Sequence, residues 1–261
     1  MTVVGVFVER HSLADYLWNQ TDSPFGLHGS IQIAPNRRDA DLVLMIGSPI
    51  HVGFAGPRRR LGVARVLRRG ERERDRLEQA WGALDVPRGR VWTLFYEPPS
   101  YVSDEAFNAA RRHSARVYAP DQRATHPLRL PTLWSDQVPL GLLRGEVAPT
   151  RESGERGADV ICVTSGKRVL PGHSERMVFL SRLRQEGVPL RLFGRGVPSE
   201  FGGEGEIQGK AIVTRGSRFA LVIENYAEGD RYVSEKLWDA LVGWSLPLYF
   251  GSAAADSMVP A

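Results

Sequence analysis

The stretch RFALVIENYAEGDRYVSEKLWDALVGWSLPLYFGS, Arg218–Ser252, decides the fold. Phe219–Ile223 is a run of strand-forming apolar residues, stopped by the polar pair Glu224-Asn225. A polar, glycine-containing gap follows, after which Ser234 is a good N-cap for a helix predicted over Ser234–Trp244. Leu246–Phe250 is a second apolar strand, ended by Gly251. Strand, helix and strand in this order are the repeating unit of a parallel α/β layer.

The same alternation extends upstream. Asp159–Thr164 and Val188–Phe193 read as strands, the second stopped by Gly194-Arg195-Gly196. Between them Glu175–Glu186 reads as a helix whose apolar face carries Met177, Val178, Leu180 and Leu183, after a Pro171-Gly172-His173 turn. Residues 146–157, EVAPTRESGERG, have no core pattern and read as a linker. Ahead of it, Val3–Val8, Asp41–Ile46, Val91–Tyr96 and Arg116–Ala119 are predicted strands. The arginine- and glutamate-rich stretch Arg58–Trp81 is predicted to be helical, as is Glu105–His113, capped by Ser103 or Asp104. His11–Asn36 reads as a polar stretch containing glycine and proline, with no strand assigned in it. With no internal repeat, the organisation is two α/β domains, 1–145 and 158–261.

The chain has 261 residues, 42% of them apolar and 25% charged, a globular balance. A net charge of +4 is too small to mark a nucleic-acid binder, and the basic patch Arg58–Arg69 reads first as a solvated helix face. The lone Cys162 forms no internal disulfide, no apolar run is long enough to span a bilayer, and acidic Glu9 interrupts the start. A soluble, cytoplasmic protein is the expectation, with oligomeric state open. All but three of the 34 basic residues are arginine, so Lys167, Lys210 and Lys236 stand out where they occur in motifs.

In a parallel sheet, ligands gather beyond the carboxyl ends of the strands. Three such ends in the second domain are polar: Ser165-Gly166-Lys167, Gly194-Arg195-Gly196 and Glu224-Asn225. Lys236 falls in the first turn after the Ser234 cap, where a cation opposes the helix dipole unless an anion binds there. Arg176 is placed near the start of the other helix, with a guanidinium fork suited to phosphate. Two cations beside two helix starts point to a diphosphate ligand, although each has a bland reading as a solvated side chain. Neither GxGxxG nor GxxxxGK[ST] is present, which disfavours an NAD enzyme or a P-loop NTPase. In the first domain Glu97, stiffened by Pro98-Pro99, closes a strand and is the candidate general base; a turn-capping carboxylate is its bland alternative. Asp121 and His113 are weaker candidates. The six histidines have no metal-ligand spacing, so no metal is expected.

The segment Arg218–Ser252 resembles the hallmark of the family 10 glycosyltransferases, the α-1,3/1,4-fucosyltransferases. Matching positions are Phe219, Glu224, Asn225, Tyr232, Val233, Ser234, Glu235, Lys236, Leu237, Asp239, Ala240, Pro247, Tyr249 and Gly251. VTSGKRVLPGHSERMVFLSRL and LFGRG look like the family's arginine helix and glycine turn. Lys210 resembles a lysine that precedes the hallmark, and YEPPSY is similar to an acidic E-x-P element at a strand end. The resemblance implies a GT-B fold, two Rossmann-like domains facing across a cleft. It implies inverting transfer from a GDP-sugar without a required metal or other cofactor, to a carbohydrate or small-molecule acceptor, with no nucleic-acid partner. On this chain Arg176 and Lys236 would neutralise the diphosphate and Glu235 would accept from the ribose hydroxyls. Tyr232 would lie beside the nucleotide, and Glu224 and Asn225 would line the sugar side. Arg195, Lys210 and Ser234 complete the nucleotide site, and Glu97 would be the base. Tyr226 stands where the family has serine and Ile223 where it has phenylalanine, and only ten residues follow Gly251, short of the family's C-terminal extension. The arginine-rich, bacterial character fits a small-metabolite acceptor and leaves a donor sugar other than fucose open. A non-catalytic nucleotide-sugar-binding or scaffold protein of the same fold is the alternative.

Overall fold

The computed structural model describes residues 1–8, 26–47, 69–128, 160–168, 171–207, 210–215, 217–228 and 231–259. The chain divides into two compact units, Met1–Leu128 and Arg129–Ala261. The linker-like segment 146–157 and most of the basic patch lie outside the described residues.

The first unit is one seven-stranded sheet, β1 (Thr2–Val8), β2 (Leu27–His28), β3 (Ile31–Pro35), β4 (Leu42–Ile46), β5 (Val91–Leu94), β6 (Arg116–Ala119) and β7 (His126–Pro127), in the order β2-β3-β1-β4-β5-β6-β7. All neighbours are parallel except the β2–β3 hairpin. Period-two alternation explains why both faces are apolar. Phe7, Val43, Met45 and Val91 bury one face against helices α1 (Arg69–Leu84) and α2 (Asp104–His113), while Val6, Val8, Ile46 and Leu94 bury the other. Helix α2 starts at Ser103, whose Oγ accepts from the Ala106 N–H at 3.2 Å, and it ends in Arg111, Arg112 and His113, which suit the dipole. Strands β2 and β3 fall inside the polar stretch His11–Asn36, in which the sequence reading assigns no strand.

The second unit is a four-stranded, all-parallel sheet: β8 (Val160–Val163), β9 (Leu190–Phe193), β10 (Phe219–Ile223) and β11 (Leu246–Phe250), in the order β11-β10-β8-β9. Helix α3 (Pro171–Gln185) covers one face through Met177 and Leu180 against Cys162, Leu192 and Ile223. Helix α5 (Glu235–Val242) covers the other, with Ala240 packed on Ile161, Ala220 and Val222. Between β9 and β10 lies a short helix, α4 (Lys210–Thr214), and the described chain ends in α6 (Ala254–Met258), packed on α5 through Ala255 and Met258. Strand β11 is an edge: the Leu246 N–H bonds the Arg218 carbonyl, so Pro247 points its missing donor away from β10. Leu246, Leu248 and Phe250 are exposed on one face of this edge.

Helix α3 begins at Pro171, not after a turn at Pro171–His173. Proline at a helix's first position loses no intrahelical bond. Arg176 therefore sits in the second turn, and the buried stripe is His173, Arg176, Met177 and Leu180 at i, i+3, i+4 and i+7. Val178, expected on the apolar face, is exposed. Two sheets with covering helices make a mixed α/β architecture consistent with a GT-B-type pair of Rossmann-like domains.

Candidate functional site

The order β11-β10-β8-β9 places a topological switch between β8 and β10: the chain leaves β8 toward β9 and leaves β10 toward β11. Such a crevice at the carboxyl ends is where open α/β sheets bind ligands. Beyond β8 come Thr164 and Ser165, and beyond β10 come Glu224 and Asn225. Arg176 bridges the two ends. Its Nη1 donates to Asn225 Oδ1 at 2.6 Å and its Nη2 to the Ser165 carbonyl at 3.0 Å. The side chain is buried, and that burial pulls its pKa down, opposed by Cys162 and Glu224 beside it. Asn225 and Ser165 are neutral acceptors, so the hydrogen bonds hold the guanidinium in place without cancelling its charge.

Lys236 brings a second cation to the same strand end. Its ammonium lies 3.3 Å from Glu224 Oε2 and donates to Ser234 Oγ at 2.9 Å. Ser234 is the N-cap of α5 and accepts the Lys236 N–H, while the Ser234 N–H bonds Glu224 Oε1 at 2.8 Å. Glu224 is thus sealed from solvent with both oxygens engaged, one on the cap of α5 and one on Lys236. Tyr249 packs close by, and burial raises its pKa, helped by the Glu224 charge. Gly251 is required beside them, since a Cβ there would stand 2.4 Å from the Tyr249 hydroxyl and 2.6 Å from Glu224 Cγ.

His173 and Cys162 were not expected at this site. Burial, followed by the charges of Arg176, Lys167 and Lys236, depresses the His173 pKa and leaves its ring neutral at pH 7. Burial pushes the Cys162 thiol up to about 12. The field that acts on both groups is that of Arg176 and Lys236, so the two cations belong to one positive locus. The sequence signal for His173 was its place three residues before Arg176 on one helical face.

The remaining residues divide. Lys210 and Glu235 pair at 2.6 Å, next to the Lys236 locus, together with Asp239. Tyr232 is buried, its ring edge-on to Tyr226 at 6.2 Å between centroids. The Arg195 side chain is 85% exposed and reaches Glu206 at 3.4 Å, while its carbonyl accepts the Gly166 N–H at 2.9 Å. Its turn does close on the β8 end: Gly194 has φ +137°, and a Cβ there would overlap the Thr164 carbonyl at 1.5 Å.

In the first unit Glu97 follows β5, half-buried, between Tyr96 and the 3-10 turn Pro99–Tyr101. Its charge and burial together raise the Tyr101 pKa, burial being the larger cause. Arg123, missed in the sequence, fixes the segment that follows. It donates to the carbonyls of Pro99 at 2.8 Å and Val102 at 3.0 Å, and pairs with Asp104 and Asp121. Asp121 is thereby engaged within the unit, its carboxyl held below the usual range by Arg123 against the opposing effect of burial. His113 stacks on Trp81 and meets Glu78 Oε2 at 2.7 Å.

Among the described residues no three His, Cys, Asp or Glu side chains gather to hold a metal ion, and no helix is long and apolar enough to cross a membrane. No protein-family model matches the chain, and no curated protein matches it. Solved structures align with it remotely. An α1,3-fucosyltransferase crystal structure aligns over 96% of this chain and 69% of its own, at TM-score 0.49 and 17% identity. An α1,3-fucosyltransferase with GDP does so over 96% and 68%, at 0.47 and 15%. An S. aureus MnaA–UDP co-structure aligns over 85% of this chain and 73% of its own, at 0.37 and 11%.

Proposed function

We propose that the protein is an inverting glycosyltransferase that moves a sugar from a GDP-sugar to a carbohydrate or small-molecule acceptor. The observation that carries this reading is the pair of cations on Glu224-Asn225 at the switch point, Arg176 in the interior and Lys236 in the first turn of α5. Lys236 occurs within the stretch resembling the fucosyltransferase hallmark, and Arg176 within the segment that looks like the family's arginine helix. In this reading the donor diphosphate takes the place beside Arg176 and Lys236, and the ribose hydroxyls meet Glu235. The acceptor hydroxyl attacks the anomeric carbon as its bond to the diphosphate oxygen breaks. The bonding electrons leave with the diphosphate, where fixed cations stabilise the growing charge without reorganising. The acceptor proton passes to Glu97, and attack opposite the leaving group inverts the anomeric configuration.

Calorimetry with GDP, UDP, ADP and CMP tests the donor class. GDP should bind at least about tenfold tighter than the other three, a difference of about 1.4 kcal/mol. Equal affinities would remove the guanine assignment. NMR of the product should show inversion at the transferred anomeric centre, and retention would reject single displacement.

A further inference from the structure

Glu235 and Asp239 lie one turn apart on α5, so two carboxylates share one face of a short helix. Such a pair is unfavourable unless a cation lies between them. Lys210, the first residue of α4, is that cation, with Nζ at 2.6 Å from Glu235 Oε1 and 3.0 Å from Asp239 Oδ2. Its two partners differ. The Asp239 side chain is 2% exposed, whereas that of Glu235 is 35% exposed. The lysine is anchored on an interior carboxylate and holds one that solvent and ligands can reach. The Thr214 hydroxyl ties α4 to α5 again, between the carbonyls of Lys210 and Asp239. Burial works against charge on both Lys210 and Glu235. Even so, the carboxylates hold Lys210 above the usual lysine range, and Lys210, followed by Lys236, holds Glu235 below the usual carboxylate range.

We infer that Lys210 is a positioning residue: braced on Asp239, it fixes Glu235 by one oxygen so that the other is presented to the vicinal hydroxyls of a nucleotide ribose, and Lys210 itself does not touch the ligand. This rests on the reading of Glu235 as the ribose acceptor, and it separates Lys210 from the phosphate-binding cations. A lysine at a phosphate would act alike on ribo- and deoxyribonucleotides. A lysine that orients Glu235 acts only where hydroxyls are present.

The test is calorimetric binding of GDP and 2′,3′-dideoxy-GDP. The unmodified protein should prefer GDP by about tenfold or more, the scale of a hydrogen bond to a charged group. Glu235→Gln should erase most of that preference. The double variant K210M/D239N removes the lysine together with its interior carboxylate, so Asp239 is not left as an unpaired buried charge. It should lower the preference to about threefold or less while dideoxy-GDP affinity stays within about twofold. If Glu235→Gln erases the preference and K210M/D239N keeps it, the role of Lys210 falls and that of Glu235 stands. If the unmodified protein or Glu235→Gln contradicts the ribose contact, both fall. A loss of dideoxy-GDP affinity in K210M/D239N would make Lys210 a direct ligand and overturn the inference. A second measurement needs no variant: the GDP to dideoxy-GDP ratio should stay level from about pH 6 to about pH 3.5, across the ordinary carboxylate range, because phosphate titration cancels between the ligands and Glu235 is held below that range. A ratio that decays through the ordinary carboxylate range would also overturn it.

Discussion

The two units bury different things. In the first, the interior is apolar, and its buried polar pair, Thr93 and Ser114, satisfies itself at 2.6 Å. Among its described residues the buried charge is Asp121, which Arg123 matches directly, as it does the exposed Asp104. The second unit has a smaller sheet, yet it buries Arg176, Glu224 and Asp239 along with the neutral His173. Burying a cation beside neutral acceptors costs stability. In the proposed reading the donor diphosphate offsets that cost at the carboxyl ends of the strands, whereas the first unit packs around an apolar core.

The sharpest challenge to this contrast is Glu97, the one residue of the first unit assigned chemistry. Glu97→Gln should lower turnover by about 10²- to 10⁴-fold while GDP affinity stays within about twofold. Steady-state kinetics beside calorimetry decide it, and survival of turnover within threefold would move the base elsewhere. Arg176→Met should weaken GDP binding by about 2–3 kcal/mol in calorimetry, yet leave Tm within a few degrees, because an apolar side chain of similar length relieves a buried charge. A large fall in Tm with unchanged affinity would make Arg176 a structural residue. Arg123→Ala should do the reverse, lowering stability to denaturant by about 1–2 kcal/mol through the loss of the Pro99 and Val102 carbonyl bonds, with GDP affinity unchanged. The smallest effect is acid sensitivity of the first unit. Glu78 is held below its normal range, first by His113 and also by Arg112. A depressed carboxyl stabilises the fold above its unfolded value of about 4.3 and loses that contribution as pH falls through the folded one. Glu78→Gln should therefore flatten the decline in Tm below about pH 4.5 by no more than a degree or two, since the pair is partly exposed and screened.

Much of this was legible where a local pattern sufficed. Strands β10 and β11 fall on the predicted residues because apolar runs stop abruptly at Glu224 and Gly251. Strand β3, IQIAP, is hidden in the sequence because polar Gln32 interrupts its apolar residues and Pro35 ends it, and only the two-residue β2 lies outside it. The start of α3 was misread because a Pro-Gly pair is a turn signal in sequence and a tolerated first turn in the fold. At the site, Lys236 and Ser234 were legible from capping chemistry. The contact of Lys210 with Asp239 was not, because it joins α4 to α5 across 29 positions and no local period encodes it. Arg123 is hidden for the same reason, since two of its four partners are backbone carbonyls 21 and 24 positions upstream.

The outer strand of the second sheet carries one more consequence. Its open side offers hydrogen-bonding groups beside three protruding apolar side chains, the combination on which stray chains stack into fibres. Pro247 deletes a donor from that row, so an approaching strand meets a gap in its ladder.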